Sequence, residues 1–196
     1  MTASVLFSKL LQDAQRQGVA LNRSQKSVDW LRERARDVKS VQTKKLFEDK
    51  SRLVNSVEPG NLYLFQYDPK TKKDLPYYDR FPLVFPFAAT EDGFMGLNMH
   101  YLPHLLRARL MDGLYEYTSN EKMDKTTKLK INYNLLKSVS KLEYFQPCIK
   151  RYIGNHVTSR FIYITPKEWE LCLFLPLERF EKASTSRVWA DSRRKI

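Results

Sequence analysis

Apolar positions recur at helical spacing through the first 57 residues, which hold one glycine, Gly18, and no proline. Val5, Leu6, Leu10 and Ala14 predict a short first helix, and residues 18–23 predict a break. Ser24 is a fitting N-cap for a second helix. Val28, Leu31, Ala35 and Val38 then repeat at three and four residues, a stripe continued less cleanly by Gln42, Lys45 and Leu46. One narrow apolar seam rarely closes a core by itself. Such an arm packs on another chain or along the body of its own domain.

After Glu58-Pro59-Gly60 the period changes to two. Leu62, Leu64 and Gln66 fall on one face of a predicted strand, and Tyr63, Phe65 and Tyr67 fall on the other. Residues 68–74 predict a polar turn. Phe81-Pro82-Leu83-Val84-Phe85-Pro86 is apolar, but its two prolines restrict it to an edge strand or to a short strand between them. Asp92-Gly93 marks a turn, and residues 94–99 a further strand. Pro103 starts a helix running from 104 to 117. Residues 118–130 predict a surface loop. Leu135, Leu136, Val139 and Leu142 predict a short helix. Phe161-Ile162-Tyr163-Ile164 predicts a strand that Pro166 ends, and residues 169–175 fit either a fifth strand or a short helix. Beyond Pro176 the chain reads as a basic tail. The predicted class is α+β: a small bent antiparallel sheet from residues 59–100 and 158–176, on the pattern of an SH3-like barrel. Helices are inserted between its halves, and a helical arm lies in front. The chain thus divides into an arm (1–57), a body (58–178) and a C-terminal tail (179–196).

A chain of 196 residues with 42% hydrophobic and 29% charged residues has the composition of one folded domain, which excludes a mainly disordered chain. Its apolar runs fall far short of the roughly 20 residues of a membrane helix. Two cysteines, Cys148 and Cys172, exclude a disulfide framework and a four-thiolate zinc site, and their apolar neighbours predict buried, reduced thiols. Leu10-Leu11 is followed at once by Asp13 and Arg16, so a secretory pattern is not seen and an intracellular, reducing setting is expected.

The net charge of +12 is unevenly spread: +6 over residues 1–57, +2 over 58–178 and +4 over 179–196. Basic ends flanking a neutral body suit contact with a polyanion, or plain solubility. Enzyme chemistry finds less support. His100 and His104 are four apart, but Pro103 between them separates them from a shared helical face, and a hydrogen-bonded histidine at a strand-to-helix turn is the expectation for His100. No phosphate-binding glycine pattern occurs. Cys148 and His156 have a conceivable nucleophile–base spacing, and Asp68, Asp74 and Asp79 a conceivable metal-dependent nuclease cluster, although turn chemistry accounts for such aspartates too. No cofactor or metal is implied. Tyr63, Phe65, Tyr67, Tyr77 and Tyr78 lie near Lys70, Lys72, Lys73 and Arg80, a mixture that stacks bases and holds phosphates or else fills a small core. From charge alone, Arg32, Arg36, Lys44, Lys45, Lys70, Lys72, Lys73, Arg187, Arg193, Arg194 and Lys195 are candidates for nucleic-acid binding. Trp189 within the tail argues for anchoring to something.

The stretch from Tyr67-Asp68-Pro69-Lys70 through Leu75-Pro76-Tyr77-Tyr78-Asp79-Arg80-Phe81-Pro82-Leu83-Val84, with residues 96–103 and Val188-Trp189-Ala190-Asp191-Ser192-Arg193, resembles virion-associated proteins of contractile-tailed bacteriophages of the myovirus type. Among these it is similar to the DNA end protector proteins, with baseplate or tail proteins as the alternative. The resemblance covers residues 59–196. It implies a virion protein, made in the host cytoplasm, that shields the end of packaged DNA without catalysis during head completion. Its partners would be double-stranded DNA ends and other head, neck or baseplate proteins. No residue roles carry over from the family.

Overall fold

A computed structural model describes residues 12–18, 29, 30, 33, 47, 49–103, 106, 107, 110, 111, 114, 124–169, 172 and 175–194. Its centre is a six-stranded sheet in which every pairing is antiparallel. The strands are β1 (Leu53–Val54), β2 (Leu62–Leu64), β4 (Leu83–Thr90), β5 (Gly93–Asn98), β6 (Ile149–Ile153) and β7 (Phe161–Ile164), in the spatial order β1-β7-β2-β4-β5-β6. The short strands β3 (Tyr78–Asp79) and β8 (Phe180–Glu181) form a separate pair. The sheet is open, with β1 and β6 as its edges, so the expected SH3-like barrel is not closed. Strand β6 lies outside the two stretches assigned to the sheet from sequence. Its polar centre, Lys150-Arg151, obscures an otherwise apolar frame of Ile149, Tyr152 and Ile153.

The alternation read at residues 62–67 separates two apolar clusters. Leu62 and Leu64 join Leu83, Phe85, Leu97, Ile162 and Ile164 in the main core, beneath the helical elements. Tyr63 and Phe65 join Val84, Phe94 and Tyr152 in a second, aromatic cluster on the opposite face. Phe65 is its hub, with edge-on rings of Tyr152 and Phe161 each 5.1 Å away.

Pro86 does not end β4, which runs on to Thr90 in the interior of the sheet. The Pro86 carbonyl accepts from the Gly60 amide at 3.2 Å. In a strand, a residue's N–H and C=O point to the same side. The missing N–H of Pro86 therefore faces the chain just ahead of β2, beyond the paired residues of the β2–β4 ladder, where its loss is tolerated. A bulge follows between Pro86 and Ala88. Gly93 opens β5 where any Cβ would run into the Tyr152 carbonyl oxygen, so the approach of β6 requires glycine there.

Helix α1 (Lys125–Val139) begins earlier than the sequence pattern suggests and takes in residues assigned to a loop. Asp124 caps it by accepting from the Thr127 amide at 3.0 Å. Leu142 stands outside this helix and is exposed. Gly60, at φ 92°, lets α1 sit close over the start of β2. The Leu106 and Arg107 amides both donate to the Pro103 carbonyl, the helix start expected at that proline. Trp169 and Cys172 are helical, which decides between the two readings of that segment. From the arm, Ala14 and Trp30 belong to the main core, and Trp30 Nε1 donates to Gln17 Oε1 at 2.6 Å, so these parts pack on the chain's own body. Ser24 and most of the arm's stripe lie outside the described residues. Among the described residues no helix is long and apolar enough to cross a membrane.

The C-terminal segment is not a loose tail. Helix α2 (Thr185–Arg194) follows β8 and buries Val188 and Ser192. Its start is set by Ser184, whose Oγ accepts from the Arg187 amide. Repulsion among six basic residues is outweighed because Val188, Trp189 and Ser192 form one face, and Arg187, Arg193 and Arg194 stay exposed.

Candidate nucleic-acid interface

The loop after Tyr67 carries Lys70, Lys72 and Lys73, all exposed. It is fixed at both ends. The Asp68 amide donates to the His156 carbonyl at 3.0 Å, and His156 Nδ1 donates back to the Asp68 carbonyl at 2.9 Å. At the other end Lys182 reaches across from the C-terminal segment. Its Nζ donates to the carbonyls of Lys72, Lys73 and Leu75 at 2.7, 2.9 and 2.9 Å. Lys182 itself has φ 69°, an uncommon value for a residue with a side chain, and this geometry turns it toward the loop. One cation of the tail thus clamps the loop that carries three others. Lys182→Met is expected to raise amide exchange over residues 72–76 on the order of tenfold while leaving the sheet's exchange unchanged, a comparison that hydrogen-exchange mass spectrometry makes directly.

Beside this loop lies a cleft of about 390 Å³, lined by Tyr67, Lys70, Leu75, Tyr77, Tyr78, Asp79, Asn98, Tyr101, Lys150, Arg151 and Tyr152 among others. The aromatic walls are braced. Tyr67 stands edge-on to Tyr152 at 5.0 Å, and its hydroxyl accepts from the Ile153 amide. Tyr77 rests against Tyr101 and Phe180 at 6.1 and 6.4 Å. Lys150 Nζ sits 4.1 Å from the Tyr101 ring centre. Arg151 pairs with Asp92 at 2.8 Å on the exposed rim. Burial raises the phenol pKa of Tyr67, Tyr77, Tyr101 and Tyr152, so these walls stay uncharged and do not repel an anion.

A buried polar network supports the cleft floor. The Asp79 carboxylate accepts from the Phe81 amide at 3.0 Å, Asn98 Nδ2 at 3.1 Å and His100 Nδ1 at 2.7 Å. A carboxylate only accepts, so His100 carries its proton on Nδ1. Asn98 Nδ2 also donates to the Tyr152 hydroxyl at 3.1 Å. The His100 carbonyl receives Trp189 Nε1 at 2.8 Å and Arg107 Nη2 at 3.2 Å. Arg107, fully buried, pairs with Glu178 and lies 5.3 Å from the Trp189 ring centre. Trp189 is the anchor its position in the tail implied: it ties α2 to the turn after β5.

The structure groups some of the sequence candidates. The loop lysines 70, 72 and 73 share one exposed loop, which Lys182 ties to the C-terminal segment, whereas Arg187, Arg193 and Arg194 are exposed along α2 and do not line the cleft. Arg32, Arg36, Lys44, Lys45 and Lys195 lie outside the described residues, as does His104. Of the five aromatics proposed to stack bases, Tyr63 and Phe65 are core, while Tyr67, Tyr77 and Tyr78 line the cleft. The sequence reading missed Tyr101, Lys150, Arg151 and Tyr152. The clue was Ile149-Lys150-Arg151-Tyr152-Ile153 ending at Gly154, a strand with basic residues at its centre.

The enzyme candidates are dispersed. Asp79 is buried and committed to three donors, Asp68 pairs with Lys72 at the surface, and Asp74 is exposed. Among the described residues no three His, Cys, Asp or Glu side chains are placed to share a metal ion. Cys148 is buried, donates to the Phe145 carbonyl and has its thiol pKa pushed up to about 12 by burial, whereas His156 is taken up by Asp68. Cys172 is buried as well, and burial raises its thiol pKa.

A family model described as the phage T4 terminal DNA protecting protein matches residues 5–192. The chain belongs to this family. No curated protein and no solved structure matches it. The family's span takes in the helical arm, where the resemblance read from sequence began at residue 59. Both the cleft and the clamped basic loop lie within the matched residues.

Proposed function

We propose that this chain is a non-enzymatic virion protein that binds the end of packaged double-stranded DNA and shields it from exonucleases during head completion. The observation that carries this reading is a cleft walled by tyrosines and lined by Lys70, Lys150 and Arg151, beside an exposed loop that also carries Lys72 and Lys73 and is clamped by Lys182. Exposed lysines and arginines hold phosphates without reading sequence. Braced aromatic rings offer a face to any base. Neighbouring head and neck proteins are the expected protein partners.

The test is a binding titration and an exonuclease-protection assay on linear and closed circular duplexes, at about 50 and about 200 mM salt, with and without Mg²⁺. Tight binding that favours linear DNA and weakens steeply with salt, with the bound ends surviving digestion, is the expected result. Equal binding to circles would remove the end-protecting role. Cleavage that appears only with Mg²⁺ would revive a nuclease. No binding at low salt would leave a structural role in the particle as the better account.

A further inference from the structure

We infer that the tyrosine-walled cleft receives a single nucleotide unpaired from the DNA terminus, with its base against Tyr67 and Tyr77 and its phosphate held by Lys70, Lys150 and Arg151. This rests on the end-binding reading above and specifies how an end differs from the rest of the duplex.

Size makes the first argument. A cleft of about 390 Å³ is a small fraction of the volume of one turn of B-form DNA, whose major groove alone is about 12 Å wide and about 8.5 Å deep, so a duplex does not enter. One nucleotide suits a cleft of this size, which falls in the range of small-ligand sites. Chemistry makes the second. Tyr67 and Tyr77 are half-buried, each braced by a further ring, so they offer aromatic surface whose orientation is already fixed. Cations on two separate elements, Lys70 on the loop and Lys150 and Arg151 on β6, line the same cavity. The combination of ring faces and cations in one cleft is what a nucleotide requires and what a bare phosphate does not.

The floor makes the third. Asn98 and Asp79 both line the cleft, but Asn98 Nδ2 is engaged by Asp79 and Tyr152, and Asp79 by three donors. These groups are occupied in holding the floor together and are not directed at a base edge. Recognition then comes from stacking and charge, which tolerate any base. The terminus is where such a site gains its selectivity. A terminal pair stacks on one side only, so unpairing it costs less than extruding an internal nucleotide.

The experiment compares two linear duplexes of one sequence at constant low salt. One has ordinary blunt ends, and the other has its terminal pairs covalently cross-linked between strands so that they stay paired. The full-length protein is expected to bind the ordinary end about tenfold more tightly. Tyr77→Leu is expected to remove that difference, while Tyr77→Phe, which keeps the ring, retains it. The four terminal base pairs should bind within about threefold of one another. Equal affinity of the unmodified protein for ordinary and cross-linked ends would overturn the inference. That outcome depends on the DNA alone and does not rely on a variant folding. If the protein still prefers linear over circular DNA, such a result leaves end binding standing. Loss of the linear preference would instead overturn end binding and this inference together.

Discussion

Glu178→Gln is expected to lower stability by about 3–5 kcal/mol, because it leaves the Arg107 guanidinium buried without a counter-charge. For a chain of this size that is a drop in Tm of about 6–20 °C. Both partners are buried, so solvent screening does little to soften the loss. The effect should spread beyond the pair. Arg107 also donates to the carbonyls of Leu102 and His100, and the Trp189 indole shares the His100 acceptor. Loosening Arg107 therefore releases α2, and exchange of its amides should accelerate ahead of the sheet's. Replacing both partners, as Arg107→Met with Glu178→Leu, should recover most of the loss, since an apolar pair removes the desolvation cost of two charges. The pH dependence has a definite sign. Burial alone would raise the Glu178 carboxyl pKa, but Arg107 and then His100 outweigh it and hold it below its ordinary value of 4.5. A depressed carboxyl contributes stability that is complete above the unfolded value and is lost as pH falls through the folded one. The gap between wild type and Glu178→Gln should thus be full at neutral pH and narrow below about pH 4.5. Urea titrations across that range measure it, and a gap that stays constant with pH would show that the pair is not its source.

How much of this was readable beforehand varies with the physical origin of each feature. The alternation from Leu62 to Tyr67 fixes which side chains enter which core, because a period of two admits no other face assignment. The helix start at Pro103 and the buried state of both cysteines follow equally from local chemistry. What the sequence hides is long-range. Pro86 reads as a strand breaker until the Gly60 amide shows which side its missing N–H faces. Strand β6 reads as a polar connection because Lys150 and Arg151 serve the cleft and not the core. For the tail, charge is local information that leaves solvation and contact both open and Trp189 tips it toward anchoring, but its partners Tyr78, Asp79, His100 and Arg107 lie about 80–110 residues away along the chain and are not legible. The cleft is a consequence of these distant pairings. Tyr67 and Tyr77 were visible as aromatics among lysines, but Tyr101 and Tyr152 join them only when β5, β6 and the β3–β8 pair are assembled.

The largest effect on DNA binding is expected from neutralising the exposed basic residues of the loop and of α2 together: Lys70, Lys72, Lys73, Arg187, Arg193 and Arg194, each to Gln. Every phosphate that goes without its cation makes the dependence of log K on log salt shallower by about 0.9. Six such phosphates amount to a change of about 5 in slope, so an affinity that falls about 10³-fold between 50 and 200 mM salt in the wild type should become nearly flat. The six side chains are not equivalent. Lys72 already holds both oxygens of Asp68 at 2.9 Å, and a phosphate must compete for it. Arg187 and Arg194 share Asp191 at 4.0 and 3.9 Å, a looser arrangement that yields more readily. Among the described residues no carboxylate lies within ion-pair distance of Lys70 or Lys73. Single replacements should therefore rank Lys70 and Lys73 above Lys72, with the helix arginines between them. The variant should fold normally, because all six side chains are exposed and exposed ion pairs contribute little to stability. Replacing Tyr77 instead should weaken end binding without changing the salt slope, because stacking releases no counterions. A phosphate-holding surface and a nucleotide-accepting cleft are thus separable by one titration series in salt. An unchanged slope in the six-site variant would mean that the tail and loop contact neighbouring proteins and not DNA.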